Sequence, residues 1–366
     1  MVLLDYLKWR NDVDFHTAEF NDIDNVVLSY LAYIDFGELF GDVDVPCNMD
    51  KALKQFCKKY SLDEIRENAE FTKRAPLLLE EMAVGERFRE TIIEHYMDDF
   101  DKEKTKQFAA VTFKLPNGVN YISFRGTDST ITGWKESLLM SCTSDIEGAK
   151  EAVDYLNNVA KLLKGDLIIG GHSKGGNFAM YASAFCDDSI KKRIIKIYNN
   201  DGPGFRDEII ESQEYKQIEP KILSILPQTS IIGQLLSNRA EEKIIKSDAK
   251  GIFQHDPMTW EVTKNKFVAE ELDNFSKFVK VALGSWLEKI DDETRESVVS
   301  TVFSMIEETK AETFVEFGGS AFKNTGILIK ELAKLPKEKR NELMTAFGSL
   351  IQESGKAAFD QIQNKS

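Results

Sequence analysis

The apolar run Asp166-Leu167-Ile168-Ile169-Gly170 breaks directly into Gly171-His172-Ser173-Lys174-Gly175, and a segment of helical character, Asn177 to Phe185, follows at once. This is Gly-x-Ser-x-Gly in a strand–turn–helix setting. The setting constrains more than the pattern, because three fixed positions recur by chance in about one chain in ten of this length. A serine on a sharp turn between a buried strand and a helix is held in a strained backbone, with its hydroxyl clear of the sheet. Gly171 and Gly175 flank it because side chains there would collide with neighbouring backbone. A packing turn and a phosphate cradle are the rival readings. Gly171 and Gly176 have the cradle's spacing, but Asn177-Phe178 stands where Lys-Ser/Thr is needed.

A serine hydroxyl is a poor nucleophile at neutral pH and needs a base within hydrogen-bond reach. Histidine is the usual one, since its pKa lies near working pH. The chain offers His16, His95, His172 and His255. His172 adjoins the serine, so its ring should point away from the hydroxyl. His16 and His95 precede the strand-rich region. His255, in Gly251-Ile252-Phe253-Gln254-His255-Asp256-Pro257, follows the last expected strand, where a Ser…acid…His order puts the base. A carboxylate must hold that imidazole in one tautomer. Asp201, in Asn199-Asn200-Asp201-Gly202-Pro203-Gly204, closes the strand after the elbow helix, and Asp248 is the alternative acid. A turn aspartate bonding its own backbone is the bland reading of Asp201. Acyl transfer also needs two N–H donors aimed at the oxyanion. Lys174, just after the serine, supplies one. Thr127, in Phe124-Arg125-Gly126-Thr127-Asp128, can supply the other.

Composition narrows the function classes. A net charge of −14 disfavours nucleic acid and electrostatic attachment to an anionic membrane. No cationic segment leads a long apolar run at the N-terminus, and no stretch approaches a membrane span. Cys47, Cys57, Cys142 and Cys186 are scattered without metal spacing and read as free thiols of a reducing cytoplasm. No metal or cofactor is expected.

Three zones follow from the patterning. Residues 1–105 read as a mainly helical N-terminal region packed on the core, with a capping box at Ser61-Leu62-Asp63-Glu64 and a helix expected over Met82 to Met97. Residues 106–262 alternate strands with helices, which argues a mostly parallel α/β sheet flanked by helices. A hairpin is expected around Pro116-Asn117-Gly118. Residues 263–366 turn helical again. Val268, Leu272, Phe275, Val279, Ala282, Trp286 and Ile290 make one apolar stripe, and similar segments run to about Ile362 past Gly318-Gly319 and Pro336. That region reads as a bundle packed on the sheet or on another copy of the chain; a flap over the active site is the sharper reading.

The segments Phe124-Arg125-Gly126-Thr127, Trp134 and Gly171-His172-Ser173-Lys174-Gly175-Gly176 resemble the class 3 lipase branch of the α/β-hydrolases. Asn199-Asn200-Asp201-Gly202-Pro203-Gly204-Phe205 and Gln254-His255-Asp256 further resemble a group of bacterial proteins related to those lipases. The resemblance implies an α/β-hydrolase fold, attack by Ser173, and Thr127 with Lys174 at the oxyanion. It departs in one respect. Class 3 lipases carry their acid after the strand matching Ile222–Leu226, where this chain has none. Either Asp201 takes over, or the triad is incomplete. The expected function is hydrolysis of a small-molecule or lipid carboxylic ester. The alternative is a weakly active or inactive scaffold that binds a protein or lipid partner through its helical regions.

Overall fold

The computed structural model describes residues 1–41, 46–101, 103, 106–127, 135, 146–278, 280–281, 291–310, 321–346 and 348–349. Asp128, Trp134, Cys142, Gly318-Gly319, Ile362 and the stripe positions Val279, Ala282, Trp286 and Ile290 lie outside the described residues.

Strand signals along the chain resolve into one eight-stranded sheet whose spatial order equals the sequence order. Its strands are β1 (Cys47–Asn48), β2 (Ile92–Asp101), β3 (Lys106–Lys114), β4 (Asn120–Phe124), β5 (Leu167–His172), β6 (Ile194–Asn200), β7 (Ile222–Pro227) and β8 (Glu241–Ile245). β1 to β4 meet antiparallel, and β4 to β8 run parallel. The hairpin expected at Pro116-Asn117-Gly118 joins β3 to β4. Gly118 takes φ 85°, and the Leu115 N–H closes the turn on the Val119 carbonyl at 2.9 Å. A separate two-stranded sheet pairs β9 (Val262–Thr263) antiparallel with β10 (Lys266–Phe267).

Alternation along the strands sorts side chains onto two faces. Tyr121, Ile168, Leu223 and Ile225 pack with residues of the helices Leu3–Arg10, Asp22–Leu31 and Ala75–Val84. Ile122, Phe124, Leu167, Ile169 and Ile222 pack on the other side with the helices Glu147–Leu162 and Lys174–Phe185. The N-terminal helices are therefore the cover of one sheet face. This is an α/β-hydrolase-like fold: a mostly parallel sheet flanked by helices, with a strand–turn–helix elbow after β5.

Two stretches differ from expectation. Val268 and Leu272, expected on the apolar stripe of a helix, precede the helical residues, which begin at 274; the Val268 backbone instead pairs with Lys246 and Glu261 in extended chain after β10. The helix of residues 75–84 ends at Val84, and residues 92–101 form β2 instead of continuing it. A register shift between Glu94 and Met97, with His95 at φ 55°, interrupts the alternation that would have signalled a strand. Beyond the sheet, helix Asp292–Glu307 packs Val298 against Leu343 and Ala346, and packs Phe303 and Ile306 against Leu328. Among the described residues no helix is long and apolar enough to cross a membrane.

Candidate active site

The elbow has the strain its sequence implies. Ser173 ends the turn after β5 at φ 59°, a region that costs a non-glycine residue about 1–3 kcal/mol. The surrounding backbone leaves no room for side chains. A Cβ on Gly171 would lie 2.3 Å from the Gly175 carbonyl carbon, and one on Gly175 would lie 2.0 Å from the Phe124 carbonyl oxygen. Helix Lys174–Phe185 starts at once, so the Lys174 N–H points out of the helix N-terminus rather than into its hydrogen-bond ladder. The Lys174 side chain turns inward, and its ammonium donates to the Gln107 carbonyl at 2.8 Å.

β6 and the segment after β8 bring an acid and a base together. His255 Nδ1 and Asp201 Oδ2 are 2.6 Å apart. Asp201 is buried and His255 nearly so. A carboxylate can only accept, so Nδ1 carries a proton, and it is Nε2 that presents a lone pair in the neutral ring. Asp201 also takes a positive φ, 51°, at the end of β6. Its second oxygen accepts from the Ser230 hydroxyl at 2.5 Å and the Gly233 N–H at 3.2 Å, both in the loop after β7. The acid thus reaches the end of β7 from the neighbouring strand, because parallel strands β6 and β7 end side by side with Asn200 opposite Ile225. Asp248 is exposed and its backbone pairs with Thr259. His16 is exposed on the N-terminal region, and His95 sits in the bulge of β2.

The loop after β4 lies beside the serine. A Cβ on Gly126 would come within 3.0 Å of the Ser173 Cβ and 2.3 Å of the His172 carbonyl oxygen. Arg125 anchors this loop by an ion pair to Asp98 of β2 at 2.7 Å. Thr127 follows Gly126 directly. The His255 imidazole also lies near the elbow: the His172 and His255 ring centroids are 4.6 Å apart, and His172 is the serine's covalent neighbour. Among the described residues no hydrogen bond joins the Ser173 hydroxyl to His255.

Sequence reasoning missed a buried amide network beneath the elbow. The Asn200 carbonyl accepts from the Ser173 N–H at 2.9 Å, and its side-chain amide donates to the Gly171 carbonyl at 3.0 Å. One residue of β6 thereby holds the turn on both sides of His172. Asn200 in turn bonds Asn25 and Ser29 of helix Asp22–Leu31, which also meet the Tyr121 hydroxyl. The signal was present as Asn25 and Ser29, four residues apart and so on one face of the helix Asp22–Leu31.

A model of the Mbeg1-like family matches residues 82–304 of the chain, well over half its length. The chain belongs to the Mbeg1-like family. The Mbeg1-like match includes β2 to β8, Ser173, Asp201 and His255, and it begins after Asn25, Ser29, Tyr30, Tyr33 and Arg74. No curated protein matches the chain. A crystal structure of M37 lipase is similar over 57% of this chain and 68% of that one, at 14% sequence identity and a TM-score of 0.32.

Proposed function

We propose that this Mbeg1-like protein is a serine hydrolase of carboxylic esters. The observation that carries the proposal is the 2.6 Å contact between His255 Nδ1 and Asp201, made beside a serine held on a strained elbow. A buried carboxylate on one ring nitrogen fixes the tautomer and leaves the other nitrogen as a base. In the proposed reaction His255 Nε2 removes the Ser173 proton and Ser173 Oγ attacks the ester carbonyl. The N–H groups of Lys174 and Thr127 hold the negative oxygen. The imidazolium then protonates the leaving alcohol, the ester C–O bond breaks, and an acyl group stays on Ser173. Water, deprotonated by His255, releases the acid. Asp201 accepts from His255 Nδ1 throughout and stabilises the imidazolium.

The resemblance of Arg125-Gly126-Thr127 and Gly171-His172-Ser173-Lys174-Gly175 to class 3 lipases supports esters as the substrate class. A second reading has one observation in its favour: with no bond closed between Ser173 and His255 among the described residues, the protein could be a hydrolase-like scaffold with little turnover. Catalytic hydrogen bonds often tighten only with substrate bound, so an open pair is compatible with activity. A fluorophosphonate probe and a panel of p-nitrophenyl esters separate the readings. The hydrolase is expected to be labelled at Ser173 and to turn over at least one ester; the scaffold is expected to do neither.

A further inference from the structure

His172 is the residue that the proposed chemistry does not use, and it is buried at the centre of the site. Its Nε2 lies 2.8 Å from the backbone carbonyl of His255, and its Nδ1 lies 3.0 Å from the Tyr33 hydroxyl. A carbonyl oxygen only accepts, so Nε2 carries a proton. Burial, reinforced by the neighbouring His255, holds the imidazole well below its usual pKa and hence neutral. A neutral ring has one donor, so Nδ1 accepts from Tyr33. Both nitrogens are thereby assigned by their partners.

We propose that His172 is a positioning residue: it donates to the His255 carbonyl and so mounts the base on the backbone of the elbow that carries the nucleophile. The inference rests on the reading of Ser173 and His255 as nucleophile and base. Three successive residues of the base loop are gripped. Trp260 Nε1 donates to the Gln254 carbonyl at 2.8 Å, His172 holds the His255 carbonyl, and Asp256 accepts from Tyr30 at 2.9 Å and Arg74 at 2.6 Å. Of these grips, that of His172 alone comes from a residue bonded to Ser173. It links nucleophile and base through one peptide unit and one hydrogen bond. Rings of Tyr30, Tyr33 and Trp260 stand around the imidazole at centroid distances of 6.1, 5.9 and 6.4 Å and leave it one orientation. Tyr30 and Tyr33 belong to the N-terminal cover of the sheet, so that cover sets the tautomer on which the mount depends.

The test pairs two polar substitutions. His172→Gln keeps a donor near the Nε2 position, whereas His172→Asn is a carbon shorter and falls short of the carbonyl. With melting curves recorded for both, His172→Asn is expected to lower kcat about 10- to 100-fold with KM within about threefold, the scale of a misplaced reacting group. His172→Gln is expected to return to within about fivefold of wild type. A second readout does not depend on turnover. The Nδ1 proton of His255, held by Asp201, should give a low-field proton resonance in wild type and His172→Gln that is lost or displaced in His172→Asn. Unchanged kcat and an unchanged resonance in His172→Asn would overturn the proposal, as would folded Gln and Asn variants impaired alike. Absence of Ser173 labelling with the resonance behaving as expected would instead sink the hydrolase reading and leave the mount standing.

Discussion

At the scale of single residues, the pairing of Asp201 with His255 makes the sharpest kinetic claim. Asp201→Asn keeps the acceptor that Ser230 and Gly233 use but no longer fixes the tautomer. Turnover should fall roughly 10²- to 10⁴-fold, while Asp248→Asn should stay within about threefold of wild type. Steady-state kinetics on one p-nitrophenyl ester checks both, and a large loss in Asp248→Asn would reverse the assignment. His172 makes a thermodynamic claim. Its folded-state pKa is depressed by burial, so below about pH 6.5 the unfolded chain binds a proton that the folded chain does not. Stability must then rise with pH in that window, by up to about 1.4 kcal/mol per pH unit from this one group. The melting temperature of wild type should therefore drop more steeply from pH 6.5 to 5 than that of His172→Gln. Parallel curves would show that His172 protonates freely when folded. The elbow at Ser173 was legible from its flanking residues, because the glycines such a turn requires are written beside it. The contact of His255 with Asp201 was legible only as one of two candidate pairings, since the register that sets Asp201 against the loop after β7 is a contact between distant strands.

At the scale of elements, the loop after β4, proposed to hold the oxyanion, has no spare volume at Gly126. Gly126→Ala would put a methyl 2.2 Å from the Tyr33 hydroxyl and 2.3 Å from the His172 carbonyl. The hydroxyl can swing aside, but the carbonyl is part of the elbow and cannot. The variant should lose at least about tenfold in kcat/KM, checked by esterase assay beside a melting curve. The base loop offers a second case. Arg74 and Tyr30 both bond the Asp256 carboxylate next to His255. Arg74→Met leaves that buried acid short of its cation, so it should lower the melting temperature and kcat together; a drop in neither would mean that the loop holds without this ion pair. The strands β3 to β8 were readable because their apolar runs are bounded by turn residues. β2 was not, since Glu94, Asp98 and Asp99 are poor strand formers and a bulge breaks its period. What makes it a strand is its pairing with β3, which no local window contains.

At the scale of the whole molecule, the N-terminal cover is knit together by a buried ion pair. The Arg87 guanidinium meets Asp24 at 2.5 and 2.8 Å and also donates to the Val13, Ala18 and Glu19 carbonyls. Both side chains are fully buried. Removing the arginine strands a carboxylate away from water, which costs about 3–5 kcal/mol. Arg87→Met should lower the unfolding free energy from a denaturant titration by that amount, and a negligible change would mean that other contacts hold the cover together. The cover also contributes Tyr30, Tyr33 and Arg74 to the surroundings of the base, so stability and site geometry are linked through it. The central claim is that Ser173 is a nucleophile activated by His255 and Asp201. Its most direct test is the rate of covalent labelling by a fluorophosphonate, followed by intact mass. The account predicts a single adduct on wild type, none on Ser173→Ala, and a much slower one on His255→Ala. An unlabelled wild-type protein, or an adduct that persists in Ser173→Ala, would contradict it.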